Sequence, residues 1–147
     1  MVDFEVVVGA GTLRSPSEAA VRFPHRWTSE GVTVEAQFTG GHLWVLAPAG
    51  RVLNDVYREA AALDVPVEGV QVRAVGRLSE ETWRSEGIRY TVDVDSPPPA
   101  SAVDDLLARV DAVAEIPQAL RDCGVTALPA RGLSADSAPS ATECFGR

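Results

Sequence analysis

The stretch from His42 to Leu63 constrains this chain more than any other, because its apolar residues recur at helical spacing over about six turns. Leu43, Trp44, Val45, Leu46 and Ala47 follow one another without a polar break, so this end of the helix is apolar all round and expects burial on every side. Pro48 removes one rung of the hydrogen-bond ladder and is expected to kink the helix or mark its true start. Beyond it, Val52, Leu53, Val56, Tyr57, Ala60 and Ala61 continue the stripe, while Arg51, Asp55, Arg58 and Glu59 line the other side with opposite charges one turn apart. Asp64-Val65-Pro66 closes the helix. A small sheet covers only one side of such an element, so a partner helix from a second copy is expected on the other.

Strand-like segments flank the helix. Phe4 to Val8, Ala19 to Trp27 and Val32 to Phe38 read as strands, with a turn at Gly9-Ala10-Gly11 and a hairpin connection at Thr28-Ser29-Glu30-Gly31. The Gly9-x-Gly11 pair is not a dinucleotide loop: Arg14 stands where the third glycine belongs, and Ser15-Pro16 prevents a helix from starting there. After the helix, Val70, Val72, Ala74 and Leu78 alternate with polar residues, as do Ile88, Tyr90, Val92 and Val94, which is the pattern of an antiparallel sheet covered on one face. Pro97-Pro98-Pro99 forms a rigid spacer. Ser101 is then expected to cap a second helix, with Asp104 as its capping-box partner and Val103, Leu106, Leu107, Val110, Val113 and Ala114 as its core face. Pro117 ends that helix, Val125 to Leu128 offers a last strand, and the residues after Gly132 read as disordered. The expectation is one α+β domain over residues 1–131 and a tail over 132–147.

Composition narrows function mainly by exclusion. With 21 acidic and 13 basic side chains and a net charge of −8, the chain lacks the basic surface that nucleic acid or an anionic membrane requires. No apolar run reaches the roughly 18–20 residues of a membrane span, and the N-terminus lacks a basic segment before an apolar one, so the cytoplasm is the expected location. Cys123 and Cys144 do not make a disulfide framework. His25 and His42 are the only histidines, and neither has cysteines or carboxylates at ligand spacing, so neither a metal nor another cofactor is expected. Either histidine suits acid–base work near neutral pH, although packing and capping are the commoner roles.

The order of elements, together with Gly40-Gly41-His42-Leu43, the run Ala49 to Ala61, Val67 to Val72, the strand at Tyr90 and Arg109-Val110-Asp111 through Arg121, resembles the family of OsmC and the organic hydroperoxide resistance proteins. The resemblance covers roughly residues 30–122. It implies antiparallel sheets around a long buried central helix and a second helix, in an intertwined homodimer. That family works through two cysteines. Aligned on the motifs above, the peroxidatic position holds Arg51, Ile116 stands before Pro117 where the resolving cysteine belongs, and the supporting acidic position holds Gly41. Arginine is not a nucleophile, and its pKa rules it out as a base at neutral pH. The resemblance therefore implies a thiol-free relative with a pocket at the dimer interface. A small apolar or acidic organic molecule would sit against Arg51, Trp44, Tyr57 and Ile116, with Arg51 as electrostatic stabiliser and His42, His25 or Asp55 as acid or base in a non-redox step. Two other readings stay open: a structural or regulatory dimer without catalysis, and a thiol peroxidase using a cysteine placed elsewhere.

Overall fold

A computed structural model describes residues 1–97 and 99–113 and the strand at 127–129. Strand β1 (Val2–Gly11) is followed by β2 (Val21–Phe23), β3 (Val32–Glu35), helix α1 (Gly40–Leu63), β4 (Gly69–Leu78), β5 (Ser85–Asp95), helix α2 (Ala100–Val113) and β6 (Ala127–Pro129). The strands form a single sheet in the order β2-β3-β1-β4-β5-β6. The first five are antiparallel to their neighbours, and β6 runs parallel to β5. The α+β expectation holds, with one sheet in place of several.

Alternation sets the register. Val34, Val8, Val72 and Val92 lie side by side across four strands, and Val32, Ala10, Val70 and Val94 form the next row. These side chains share the face that α1 covers, where Val45, Val52, Val56 and Leu53 meet them in the core. The opposite face carries charge: Arg77 reaches Asp3 directly across the ladder at 2.7 Å, and Arg73 pairs with Glu5. Arg77 holds the Asp3 carboxyl below its ordinary pKa by hydrogen bonding.

Several boundaries differ from the sequence reading. β1 runs through the expected turn at Gly9-Ala10-Gly11 and ends at Gly11, where φ is +60°. Gly9 sits inside the strand because the Leu13 carbonyl lies where a β-carbon would stand. β2 is only three residues long, since Pro24 cannot extend the ladder. The Ala102 N–H donates to the Pro99 carbonyl at 3.1 Å, so α2 starts at Ala100 and Ser101 lies in its first turn, not at the cap. Leu106 and Val110 are buried against α1, whereas Val113 is exposed. Ala114, Pro117, the residues before Ala127 in the proposed last strand and the whole 132–147 segment lie outside the described residues.

Helix α1 is delimited by capping. The Thr39 hydroxyl accepts the His42 N–H at 3.2 Å, which satisfies one of the free donors of the first turn. The helix then passes unbroken through the buried Pro48. At its end, Asp64 adopts a left-handed conformation (φ 54°, ψ 40°), and the Asp64 and Val65 N–H groups return to the Ala61 and Ala60 carbonyls. This is a Schellman ending with a β-carbon and a negative charge where glycine would relieve both. Asp64→Gly is therefore expected to stabilise the fold by about 1 kcal/mol. Urea unfolding checks it, and an unchanged or lower midpoint would remove this account of the cap.

The burial expected all round the start of α1 is met on one side only within a single chain. Val45 is fully buried, but Leu43 is 43% exposed and Ala47 is also exposed.

Candidate functional site

Two groups of polar side chains flank α1, and the sequence-predicted site residues divide between them. The first lies where α1 meets α2. Asp55 is 1% exposed and receives two guanidinium groups, Arg51 Nε at 3.2 Å and Arg58 Nη2 at 3.1 Å. Arg51 and Arg58 side chains remain 27% and 39% exposed, so the carboxylate is buried while the cations reach towards water along their aliphatic stems. Glu59, also buried, accepts from Arg58 Nε at 3.2 Å and from Arg109 Nε of α2 at 2.5 Å. The charge ladder read from the sequence is thus ion pairing within α1 around two buried carboxylates, and one of its members, Glu59, also ties α1 to α2 through Arg109.

The Arg109 hydrogen bond, helped by Arg58, holds the Glu59 carboxyl below its ordinary pKa despite the opposing effect of burial. A depressed carboxyl binds its proton less readily folded than unfolded. Its contribution is present above the unfolded value of about 4.3 and is lost as pH falls through the folded value. Glu59→Gln should accordingly show a flatter decline of stability than the parent below about pH 4.3, measured by urea unfolding across the acid range. Parallel curves would mean that the Arg109 contact does not form in solution.

The second group lies on the other flank of α1, against β2 and β3. A cleft of about 230 Å³ is lined by Val8, Phe23, Pro24, His25, Val32, Val34, Leu46, Gly50, Leu53 and Asn54. The helix supplies Leu46, Gly50, Leu53 and Asn54, whose three- and four-residue steps put them on one face. Across from them, His25 Nε2 lies 3.0 Å from Asn54 Oδ1, and His25 Nδ1 lies 2.8 Å from Thr28 Oγ1. The imidazole is edge-on to Tyr57 with ring centres 5.4 Å apart, and Trp27 flanks it at 5.5 Å. Burial pushes the Tyr57 hydroxyl above its ordinary pKa, so it stays protonated at neutral pH.

Among the predicted residues, Arg51 and Asp55 are therefore brought together, and His25 is brought to Tyr57, but the two sets occupy opposite flanks. His42 belongs to neither. It lies nine residues before Arg51, roughly 14 Å along the helix axis, with Nδ1 at 2.6 Å from Thr39 Oγ1 and its ring edge-on to Phe4. Trp44 packs towards Gly76 of β4, where a β-carbon would meet the indole and Val45. Ile116, Cys123 and Cys144 lie outside the described residues. Asn54 was missed by the sequence reading, although an amide among the apolar positions Leu46, Leu53 and Tyr57 is the signal that could have found it. A second hollow of about 410 Å³ touches Asp3, Glu5, Glu35, His42 and Arg73. Arg77 pairs with Asp3 and Arg73 with Glu5, while the neutral Ser15 hydroxyl donates to Glu35. No group of three or more histidine, cysteine or carboxylate side chains among the described residues is placed to hold a metal ion.

With an antiparallel sheet carrying a long helix and a shorter second helix, the chain has the fold of solved OsmC-like structures. Two solved structures resemble it. The OsmC-like protein of Mycoplasma pneumoniae superposes with a TM-score of 0.56 at 11% identity, over 67% of this chain and 75% of that one. The OsmC-like hydroperoxide resistance protein of Jannaschia sp. CCS1 gives 0.52 at 13% identity, over 92% of this chain and 96% of that one. No protein-family model and no curated protein matches the chain. No helix among the described residues is long and apolar enough to cross a membrane.

Proposed function

We propose that this chain is a divergent member of the OsmC and organic hydroperoxide resistance family that binds a small organic molecule and does not reduce peroxides through a thiol. The observation that carries this reading is the largely apolar cleft beside α1, a helix that contains no cysteine. Thiol reduction of a hydroperoxide needs a thiolate that attacks oxygen. At the position aligned with that nucleophile stands Arg51, committed to the buried Asp55. Binding takes precedence over catalysis because the proposed acid–base groups are engaged: Asp55 with two arginines, His42 with Thr39, and His25 through both ring nitrogens.

The working form is a cytoplasmic homodimer. Leu43 and Ala47 form an exposed small and apolar strip on α1, beside Gly50, that the same strip of a second copy would cover. Light scattering should then give about twice the 15.6 kDa chain mass.

The thiol question has a direct test. Purified protein is expected to leave cumene hydroperoxide unreduced with a dithiol donor, and Cys123→Ser with Cys144→Ser should change nothing. Turnover by the parent that disappears in the double variant would overturn the thiol-free reading and restore a peroxidase.

A further inference from the structure

On the reading that the cleft beside α1 binds a ligand, we infer that its occupant is a neutral apolar molecule carrying one carbonyl-type hydrogen-bond acceptor, and not an acid. The argument is an inventory of polar groups. His25 and Asn54 are the only polar side chains among the ten that line the cleft, and the rest are aliphatic, Phe23, Pro24 and Gly50. The two polar side chains largely satisfy each other, and proton counting fixes what is left over.

Thr28 Oγ1 donates to the Gly31 carbonyl at 3.3 Å and lies 2.8 Å from His25 Nδ1. An amide oxygen only accepts, so at the other ring nitrogen Nε2–H donates to Asn54 Oδ1 at 3.0 Å. With one lone pair of its oxygen taken by His25, the Asn54 amide offers a ligand chiefly its NH2. That group donates and cannot accept, so it selects an acceptor.

Charge decides which acceptor. No lysine or arginine lines the cleft. Arg51, three residues before Asn54 on α1, is turned to Asp55, and Arg26 lies over the outer Trp27 ring at 5.6 Å. A carboxylate placed here would lose its hydration and gain one neutral donor, which is a poor exchange. A ketone, aldehyde or ester loses little and gains the same bond. The volume of about 230 Å³ lies below the roughly 300–1,000 Å³ of clefts for drug-sized ligands, so the molecule is a single ring or short chain.

Three probes of one shape test this: acetophenone, benzoate and cumene, titrated at neutral pH against the intact protein, with the methyl resonances of Leu46 and Leu53 as reporters. Acetophenone should bind about three- to tenfold more tightly than cumene, the span of one net hydrogen bond, and benzoate should bind most weakly. In Asn54→Asp, which exchanges the NH2 donor for an acceptor at nearly the same size, acetophenone should fall to the affinity of cumene while cumene is unchanged. Tightest binding by benzoate, or equal binding of acetophenone and cumene to the parent, overturns the neutral-acceptor inference and leaves the cleft as a ligand site. Failure of all three to perturb the leucine methyls overturns the ligand-site reading itself. The comparison among probes on the parent stands even where the variant does not fold.

Discussion

Asp55→Ala is expected to destabilise the protein by about 3–5 kcal/mol, because it removes the buried carboxylate on which Arg58 and the buried Nε of Arg51 converge. For a chain of 147 residues this corresponds to a fall in melting temperature of about 10–15 °C. Arg51→Ala should be milder, since Asp55 keeps Arg58 as a partner and Arg51 is partly hydrated. The order of the two effects is the diagnostic. Equal, small losses from both variants would show that the pair is solvated, and a large loss of probe binding from Arg51→Ala at unchanged stability would return Arg51 to the ligand site. A double-mutant cycle between the two positions isolates their coupling from the contribution of Arg58.

The second large effect is expected at Leu53, which is 1% exposed and faces both the core and the cleft. Leu53→Ala removes a packed side chain from under the sheet row that contains Val8 and Val34, and should lower stability by about 2–5 kcal/mol. The spread depends on how far the neighbourhood relaxes, and here the open cleft limits collapse on one side, favouring the upper part of the range. Chemical denaturation measures it. A loss below about 1 kcal/mol would mean that the side chain lies in solvent-accessible space and that the cleft is wider than described.

The parts of the fold that were readable in the sequence are those in which period and burial coincide. The alternation of Val70, Val72 and Ala74 and the helical stripe of Val52, Val56 and Ala60 both point at one core, and they meet there. The OsmC-like architecture followed from the order of these segments. Boundaries were lost where backbone context overrides local preference. Gly9 looked like a turn but is a strand residue paired on both sides, and the Leu13 carbonyl fills the space a β-carbon would take. Ser101 looked like a cap but Pro99 supplies the carbonyl that starts the helix. In the candidate site, the Arg51–Asp55 pair was visible as a four-residue step, but its burial was not, since exposure is set by tertiary packing around the helix. His25 and Asn54 are 29 residues apart, and no local pattern announces a contact made by a loop folding back on a helix.

The position of β1 has a consequence for how the chain is made. It is the earliest strand of this sheet in the sequence, yet it stands third of the six described, with Val2 opposite Leu78 and Gly11 opposite Gly69. Once Leu63 has cleared the ribosome, β1, β2, β3 and the whole of α1 are free, but the strand that fills the ten-residue ladder beside β1 is not. Until β4 arrives, the apolar face of α1 has half a sheet to rest on and β1 presents a naked hydrogen-bonding edge, the condition in which nascent chains stick to one another. The nascent chain is therefore most vulnerable between the completion of α1 and the emergence of β4, and its folding waits on contacts nearly sixty residues or more apart.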